Sequence, residues 1–295
     1  MIYFTLTIDV EPDCTPTWHY SNPLTFNGVT YGIQKILQPL FNQYNITPTY
    51  LINNVVLENE ESISTFQKLD GLFELGTHLH SEFIEPEKKY YDYAGKKGEA
   101  NQCFLSSDIE FEKMKNITNL FREKFGYSPV SFRAGRFSAR KNTLVCLEKL
   151  GYKVDTSVTP HINWNDETRE QPVDYRNANE QPYFDGKILE IPISITQQKR
   201  LLLKNKTIWL RPFYSTYKEM NTLVEEYEKK YRENKHIVFN MMFHNVEILP
   251  NKSPYTKTQN DVARYLESLE LFFQLCNKKK MESIALSQLY DIYKK

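Results

Sequence analysis

Short apolar runs alternate with longer amphipathic stretches along the whole chain. Seven of the apolar runs are rich in β-branched and aromatic residues, which favour strands. We predict strands at residues 2–8, 47–52, 72–79, 130–132, 154–158, 188–195 and 237–243. The first run begins at the second residue of the chain, so the sequence opens directly on a predicted strand.

The stretches between these runs carry apolar residues at helical spacing. The clearest signal is Ser107 followed by Glu110, which predicts a capping box, with Gly126 marking the end of the same helix. A second helix is predicted from Ser138 to its stop at Gly151. Further helices are predicted at residues 33–44, 62–69, 218–232 and 261–276, and a short apolar run lies at 283–286.

Strands that alternate with helices over one uninterrupted chain predict a parallel sheet covered by helices. No glycine-rich turn follows the first strand, which argues against a dinucleotide-binding or P-loop fold. The 295 residues suit one α/β barrel, since such barrels typically need about 250 residues. We therefore predict a (β/α) barrel that forms a single domain over residues 1–295.

The composition excludes several classes of function. The 37 basic residues balance 37 acidic ones, whereas a nucleic-acid binder normally carries a basic excess. The sequence contains no apolar run of roughly 18 residues, so we expect no membrane span. The N-terminus lacks the features of a signal peptide, and the cysteines show no paired spacing, so we expect a cytoplasmic protein with free thiols.

Polar and charged residues collect where the predicted strands end. In an α/β barrel the carboxyl ends of the strands surround the active site, so these residues are expected to converge. The set comprises Asp9, Glu11, His78, His80, Glu82, Arg133, Arg136, Asp155, Ser157 and His244. Five separate runs end in charged or imidazole groups, and this convergence is the strongest functional signal in the sequence.

Two of these groups are typical of a metal site. Asp9 and Glu11 leave an extended chain on the same side, and a cation would relieve their repulsion, although a solvated acidic loop is an alternative. His78, His80 and Glu82 form a similar row. A row of two histidines and a carboxylate suits a first-row divalent ion, with zinc as the first choice.

The remaining groups favour hydrolysis. Arg133 is placed to neutralise a buried carboxylate, and His244 ends a strand where it can act as a proton donor or base. A metal, a carboxylate base and a separate histidine together activate water and protonate a leaving group. The sequence has no G-x-S-x-G elbow, which argues against covalent acyl transfer.

Five segments, in order and spacing, carry a family resemblance. They are TIDVEPD, ELGTHLHSEF, SFRAGRFSA, VDTSVTP and MMFHNVEILPNKSPY, and they span residues 5–255. This set resembles the polysaccharide deacetylase superfamily (NodB homology, carbohydrate esterase family 4), in its polysaccharide-biosynthesis branch. The resemblance implies a distorted, incomplete (β/α) barrel of about seven strands and a divalent metal, usually Zn²⁺. It also implies a metal-dependent hydrolase that removes N-acetyl or O-acetyl groups from a carbohydrate.

The resemblance also implies roles for individual residues. Asp9 matches the catalytic base, Arg133 the arginine that orients this base, and His244 the general acid. Glu11 falls near the metal-binding acid, and His78 matches the first metal-binding histidine.

The sequence departs from the family pattern in two places. Val10 stands where a second aspartate is usual, so Glu11 must supply that ligand from one residue later. The second histidine is usual four residues after His78, but Glu82 holds that position and the additional histidine is His80, so either can be the third ligand.

Three functional interpretations remain open. The first is a deacetylase acting on an acetylated sugar or oligosaccharide, with Arg136 and Asp155 as candidate substrate-binding residues. The others are a catalytically inactive glycan-binding protein and a hydrolase of a non-sugar amide on the same fold. Four aromatic residues are candidates for stacking on sugar rings: Trp18, Trp164, Trp209 and Tyr255.

Overall fold

A curled, mainly parallel sheet forms the centre of the molecule. The computed structural model describes residues 1–88, 101–165, 172–198 and 205–295. The parallel strands are β1 (Ile2–Val10), β2 (Pro48–Asn53), β3 (Glu74–Leu79), β4 (Ser131–Ala134), β5 (Val154–Asp155), β7 (Ile188–Glu190) and β10 (Ile237–His244). Their order is β10-β1-β2-β3-β4-β5-β7, and β6 (Tyr183–Asp185) adds an antiparallel edge next to β7. The predicted distorted barrel of about seven strands is confirmed.

Helices pack around the outside of this sheet. A π-helical segment, Gly28–Leu37, runs directly into the first α-helix. The α-helices are α1 (Gln38–Tyr44), α2 (Asn54–Leu57), α3 (Glu60–Gln67), α4 (Ser107–Phe125), α5 (Lys141–Leu150), α6 (Tyr217–Lys230), α7 (Gln259–Lys278) and α8 (Leu286–Tyr293). None of the helices in these ranges is long and apolar enough to cross a membrane.

The sheet closes into a barrel through a seam rather than a continuous ladder. Beyond β7 the chain crosses to β10, where the Ser194 N–H donates to the carbonyl oxygen of Asn240 at 3.0 Å. The Asn240 N–H donates back to the Ser194 hydroxyl at 2.9 Å, and the Asn240 side-chain amide donates to the carbonyl of Ile191 at 3.1 Å. We call the contacts of Ile191 and Ser194 with Asn240 the seam. One backbone hydrogen bond and two that use side chains thus stand here in place of a strand ladder.

Several predicted boundaries were wrong. The predicted strand at 188–195 divides into β7 and β8 (Ile195–Gln198), and β8 pairs with β9 (Lys206–Trp209) in a separate antiparallel hairpin. The 154–158 strand pairs only over its first two residues. The 283–286 run is β11 (Glu282–Ser283) followed by α8, which the pattern analysis missed.

The helix starts also differ from the predictions. The N-cap of α4 is Ser106, whose hydroxyl accepts from the Ile109 N–H, so the predicted capping box at Ser107 was wrong. Glu110 instead turns inward and accepts hydrogen bonds from Thr143 and Asn142. The helix predicted from Ser138 begins three residues later as α5, because the backbone is still extended at its N-cap, Arg140.

Candidate active site

Three donor atoms converge from the carboxyl ends of β1 and β3, the two strands that flank β2. The Glu11 Oε1 atom lies 3.2 Å from His78 Nε2 and 3.0 Å from His80 Nε2, and the two Nε2 atoms are 3.2 Å apart. All three residues are buried. Donors about 2.0–2.1 Å from a tetrahedral zinc ion are about 3.3 Å from one another. The donor set therefore fits a first-row divalent ion.

Hydrogen bonds from the surrounding backbone and side chains orient these donors. The Nδ1 atom of His78 lies 3.1 Å from the carbonyl oxygen of Arg133, which only accepts, so Nδ1 carries the proton and Nε2 offers a lone pair. The Glu11 N–H donates to the Asn245 side chain at 2.8 Å, and the Asn245 amide donates to the Glu11 carbonyl at 3.1 Å. Tyr20 donates its hydroxyl to Glu11 Oε2 at 3.4 Å.

Of the two candidates for the third donor, the geometry favours His80 over Glu82. Strand β3 ends at Leu79, and the chain then enters a 3₁₀ turn at Ser81–Phe83. This turn rotates Glu82 behind His80, where its Oε1 atom faces His80 Nδ1 rather than Glu11. Glu82 does not belong to the convergent set of donors.

Asp9 and Arg133 form a buried ion pair beside the three donors. Arg133 Nη1 donates to Asp9 Oδ1 at 2.6 Å, while Nη2 donates to the Thr7 hydroxyl at 2.6 Å and to the Thr156 hydroxyl at 3.2 Å. Arg133 has no exposed surface and Asp9 is 2% exposed. Burial raises the pKa of Asp9, but Arg133, His78 and His244 together hold it below its ordinary value. Asp9 is therefore a carboxylate at neutral pH.

His244 faces this carboxylate from the end of β10. Its Nε2 atom lies 3.9 Å from Asp9 Oδ2 and 3.8 Å from Glu11 Oε1. Its Nδ1 atom lies 2.8 Å from Glu247 Oε1, a carboxylate with no exposed surface. Burial raises the pKa of Glu247, yet the Arg211 guanidinium and His244 lower it overall, so Glu247 is ionised and accepts the Nδ1 proton.

The sequence analysis did not identify the residues that support His244. Arg211 Nη2 donates to Glu247 Oε1 at 2.6 Å, and Tyr265 donates its hydroxyl to Glu247 Oε2 at 2.9 Å. Glu247 lies three residues after His244 in MMFHNVE, and this spacing was the only available signal. Arg211 and Tyr265 lie in distant parts of the chain, and no local pattern connects them to the site.

Two of the candidate metal donors, Glu11 and His80, shift each other's pKa. Burial raises the pKa of Glu11, but His80 and His78 hold it well below its ordinary value. Burial lowers the pKa of His80, but Glu11 and Glu82 raise it to about 9. The carboxylate of Glu11 is thus available as a ligand, and His80 must lose a proton when a cation binds.

Two of the four aromatic candidates lie at the site. The ring of Trp18 is centred 4.8 Å from that of His244 and 5.5 Å from that of Tyr255. Trp164 and Trp209 instead pack against Phe137, at 5.4 and 6.2 Å between ring centres. Trp18 and Tyr255 therefore form an aromatic wall beside His244.

The two candidate substrate-binding residues occupy different environments. Arg136 is partly exposed, and its Nη2 atom donates to Glu82 Oε1 at 2.6 Å. Asp155 is fully buried, and both of its oxygens accept hydrogen bonds from Ser157, at 2.7 and 3.0 Å. A second buried carboxyl, Glu190, lies against Asp155. Asp155 is thus engaged within the barrel, and substrate contact by either residue stays a prediction.

The buried pair of Asp155 and Glu190 makes stability depend on pH. Burial, followed by the neighbouring charge of Asp155, raises the pKa of Glu190 well above its ordinary value. A raised folded-state pKa contributes stability that is complete below the unfolded-state pKa and is lost as pH rises through the folded-state pKa. Native protein should therefore lose stability between about pH 4 and the folded-state pKa of Glu190.

We expect Glu190→Gln to raise the melting temperature at pH 8 by roughly 2–4 °C, the shift that about 1 kcal/mol gives in a domain of this size. Little change is expected at pH 4. The control is Glu180→Gln, because burial raises the pKa of Glu180 but His161, Tyr231 and Lys230 lower it to about 2, so its loss should destabilise the protein at neutral pH. Thermal melts at both pH values measure this, and parallel pH profiles for wild type and Glu190→Gln would contradict it.

Solved structures share this fold. A protein assigned as a polysaccharide deacetylase from Mycobacterium smegmatis superposes with a TM-score of 0.58 at 15% identity, covering 98% of this chain and 89% of that chain. One with the same assignment from Pseudomonas aeruginosa PAO1 gives 0.58 at 14% identity over 98% and 89%. PuuE allantoinase gives 0.57 at 13% identity over 98% and 88%. No protein-family model and no curated protein matches the sequence.

Several structural neighbours are thus polysaccharide deacetylases, at low sequence identity. The chain has the distorted barrel of this class of protein, and the predicted resemblance in fold is confirmed. The allantoinase shows that the same barrel also occurs in a protein named for a different substrate.

Proposed function

We propose that the protein is a metal-dependent hydrolase that removes acetyl groups from a carbohydrate, and that it is a member of the polysaccharide deacetylase family. The observation that carries this proposal is that the convergent donors Glu11, His78 and His80 adjoin the proposed base and acid. His78 Nε2 lies 3.9 Å from Asp9 Oδ2, and Glu11 Oε1 lies 3.8 Å from His244 Nε2. An inactive glycan-binding protein has no need to keep a base, an acid and three metal donors together. The complete set therefore favours an enzyme.

Each residue has a chemical task in this proposal. A divalent cation, most suitably Zn²⁺, supplies Lewis-acid activation of a carbonyl and of water. Asp9 accepts the proton of the attacking water through Oδ2, since Oδ1 is held by Arg133. His244 donates a proton from Nε2 to the leaving nitrogen or oxygen, and Glu247 keeps its Nδ1 proton in place.

The wall formed by Trp18 and Tyr255 supports a sugar substrate. Aromatic faces offer flat apolar surface with a polar tip, which suits the mixed apolar and hydroxyl faces of a sugar ring. Trp18 contacts the ring of His244 itself, so a sugar stacked on it would lie directly beside the proposed acid. Arg136, at the partly exposed edge of the site, is the proposed polar contact to the substrate.

A hydrolase of a non-sugar amide is the second candidate. PuuE allantoinase has the same fold at a similar TM-score, and the proposed base, acid and metal donors would serve any amide carbonyl. The two candidates differ only in what stacks on the aromatic wall, so a choice of substrates separates them.

The decisive experiment measures metal content and acetate release together. We expect the purified protein, stripped and then loaded with zinc, to hold about one equivalent and to release acetate from N-acetylated chitooligosaccharides or O-acetylated sugars. The Glu11→Gln variant should lose both properties. Binding of less than about a tenth of an equivalent of zinc, with no acetate released, would refute the proposal that the protein is an enzyme. Hydrolysis of cyclic ureides or simple amides without any acetate release from sugars would establish the second candidate.

A further inference from the structure

Glu82 is a buried carboxylate placed against the rear of a candidate metal ligand. Its side chain is only 1% exposed, and its Oε1 atom lies 3.5 Å from His80 Nδ1. The opposite nitrogen of the same ring, Nε2, is the one that faces Glu11. Arg136 Nη2 donates to the same Oε1 atom at 2.6 Å, so the carboxylate is held in position and its charge is balanced.

Two atoms in this arrangement have unmet hydrogen-bonding capacity. Both His80 Nδ1 and Glu82 Oε2 are buried without a hydrogen-bond partner among the described residues. Buried polar atoms of this kind are uncommon, because an unmade hydrogen bond in the interior destabilises the folded state. The separation of 3.5 Å between His80 Nδ1 and Glu82 Oε1 is slightly longer than a hydrogen bond, which has its heavy atoms 2.7–3.2 Å apart. A movement of a few tenths of an ångström would join the two groups.

The two histidines need the same kind of support. A histidine that binds a metal through Nε2 must carry its proton on Nδ1, and that proton requires an acceptor. His78 has the carbonyl oxygen of Arg133 for this purpose. On the Nδ1 side of His80, the acceptor that the described residues supply is the carboxylate of Glu82.

We propose that Glu82 is a positioning residue, which accepts the Nδ1 proton of His80 and so directs Nε2 of this ring toward the metal. The inference rests on the proposed function in that it concerns the same metal site. It assigns Glu82 a role other than that of a ligand, although Glu82 stands four residues after His78. Arg136 contributes indirectly, because it fixes the Glu82 carboxylate.

The test measures metal affinity rather than turnover. We expect Glu82→Gln to weaken Zn²⁺ binding about 10–100-fold in competition with a chromogenic chelator, since supporting carboxylates have effects of this size. Arg136→Gln should weaken it less, because Glu82 itself remains. The matched control is Glu112→Gln, since Glu112 pairs with Lys115 on the surface of α4 and its loss should leave affinity unchanged.

Cobalt substitution distinguishes positioning from ligation. With Co²⁺ bound, Glu82→Gln should keep the visible absorption band of the wild type in position and intensity, because the three donors are unchanged. A lost or shifted band would mean that Glu82 is itself a ligand and would overturn the proposal. Wild-type affinity in a folded Glu82→Gln protein would overturn it as well.

The outcomes separate this inference from the proposed function. A wild type that binds zinc and releases acetate, with a Glu82→Gln variant of equal affinity, would refute only the role of Glu82. A wild type that binds no metal would refute both. If Glu82→Gln loses affinity for zinc while the wild type hydrolyses non-sugar amides alone, the positioning role of Glu82 is supported and the deacetylase activity is refuted.

Discussion

Replacing Asp9 by asparagine should lower the rate of acetate release by about 10²–10⁴-fold, the range that a general base contributes. Asparagine has the same shape but cannot accept the proton of water. Asp9 is not one of the three convergent donors, so zinc content should stay near that of the wild type. Steady-state kinetics and metal analysis on the same preparation measure both quantities.

A neighbouring acid provides the control for this variant. Asp13 lies four residues away and is also buried, but its oxygens accept hydrogen bonds from Gly28, Thr25 and Asn27. Asp13→Asn should therefore lower thermal stability without changing kcat. Full activity in Asp9→Asn would show that another group is the base, and loss of zinc from that variant would show that Asp9 is a ligand.

Replacing Arg133 by methionine should lower the free energy of unfolding by about 3–5 kcal/mol, because it leaves a buried carboxylate without its cation. Arg133 has no exposed surface and its guanidinium contacts Asp9, Thr7 and Thr156. Urea unfolding followed by circular dichroism measures the loss. The expected effect is among the largest that a single substitution produces.

The double variant tests the physical reason. Combining Asp9→Asn with Arg133→Met removes both charges, so its loss should be smaller than the sum of the two single losses by at least about 1 kcal/mol. Additive losses would mean that the ion pair is not what couples the two positions. A loss below about 1 kcal/mol in Arg133→Met alone would show that water or another cation replaces the guanidinium.

Three residues that the sequence analysis expected to converge do lie close together, and all three lie at strand ends. Asp9, Arg133 and His244 each follow an apolar run directly, and parallel strands bring their carboxyl ends to one edge of the sheet. Position along a strand therefore predicts position in the barrel. The same reasoning predicted the parallel strands but not β6, β8 and β9, which pair antiparallel and are not part of the alternation of strands and helices.

The sequence could not decide whether His80 or Glu82 supplies the third donor, and the reason is geometric. In a continued strand, His78, His80 and Glu82 would all point the same way. The strand instead ends at Leu79, and the 3₁₀ turn that follows directs Glu82 elsewhere. The pattern of apolar residues predicts where a strand lies but not the residue at which it ends.

The seam gives the barrel two sides of unequal stiffness. Continuous ladders join β10, β1, β2, β3 and β4, the strands that present Asp9, His78, Arg133 and His244. Across the seam, individual hydrogen bonds to Asn240 take the place of a ladder. Widening the barrel at the seam would break these individual hydrogen bonds. Moving the strands from β10 to β4 apart would instead disrupt whole rows of backbone hydrogen bonds. We therefore expect the barrel to yield first at the seam, while the ladder side keeps the spacing of these four residues.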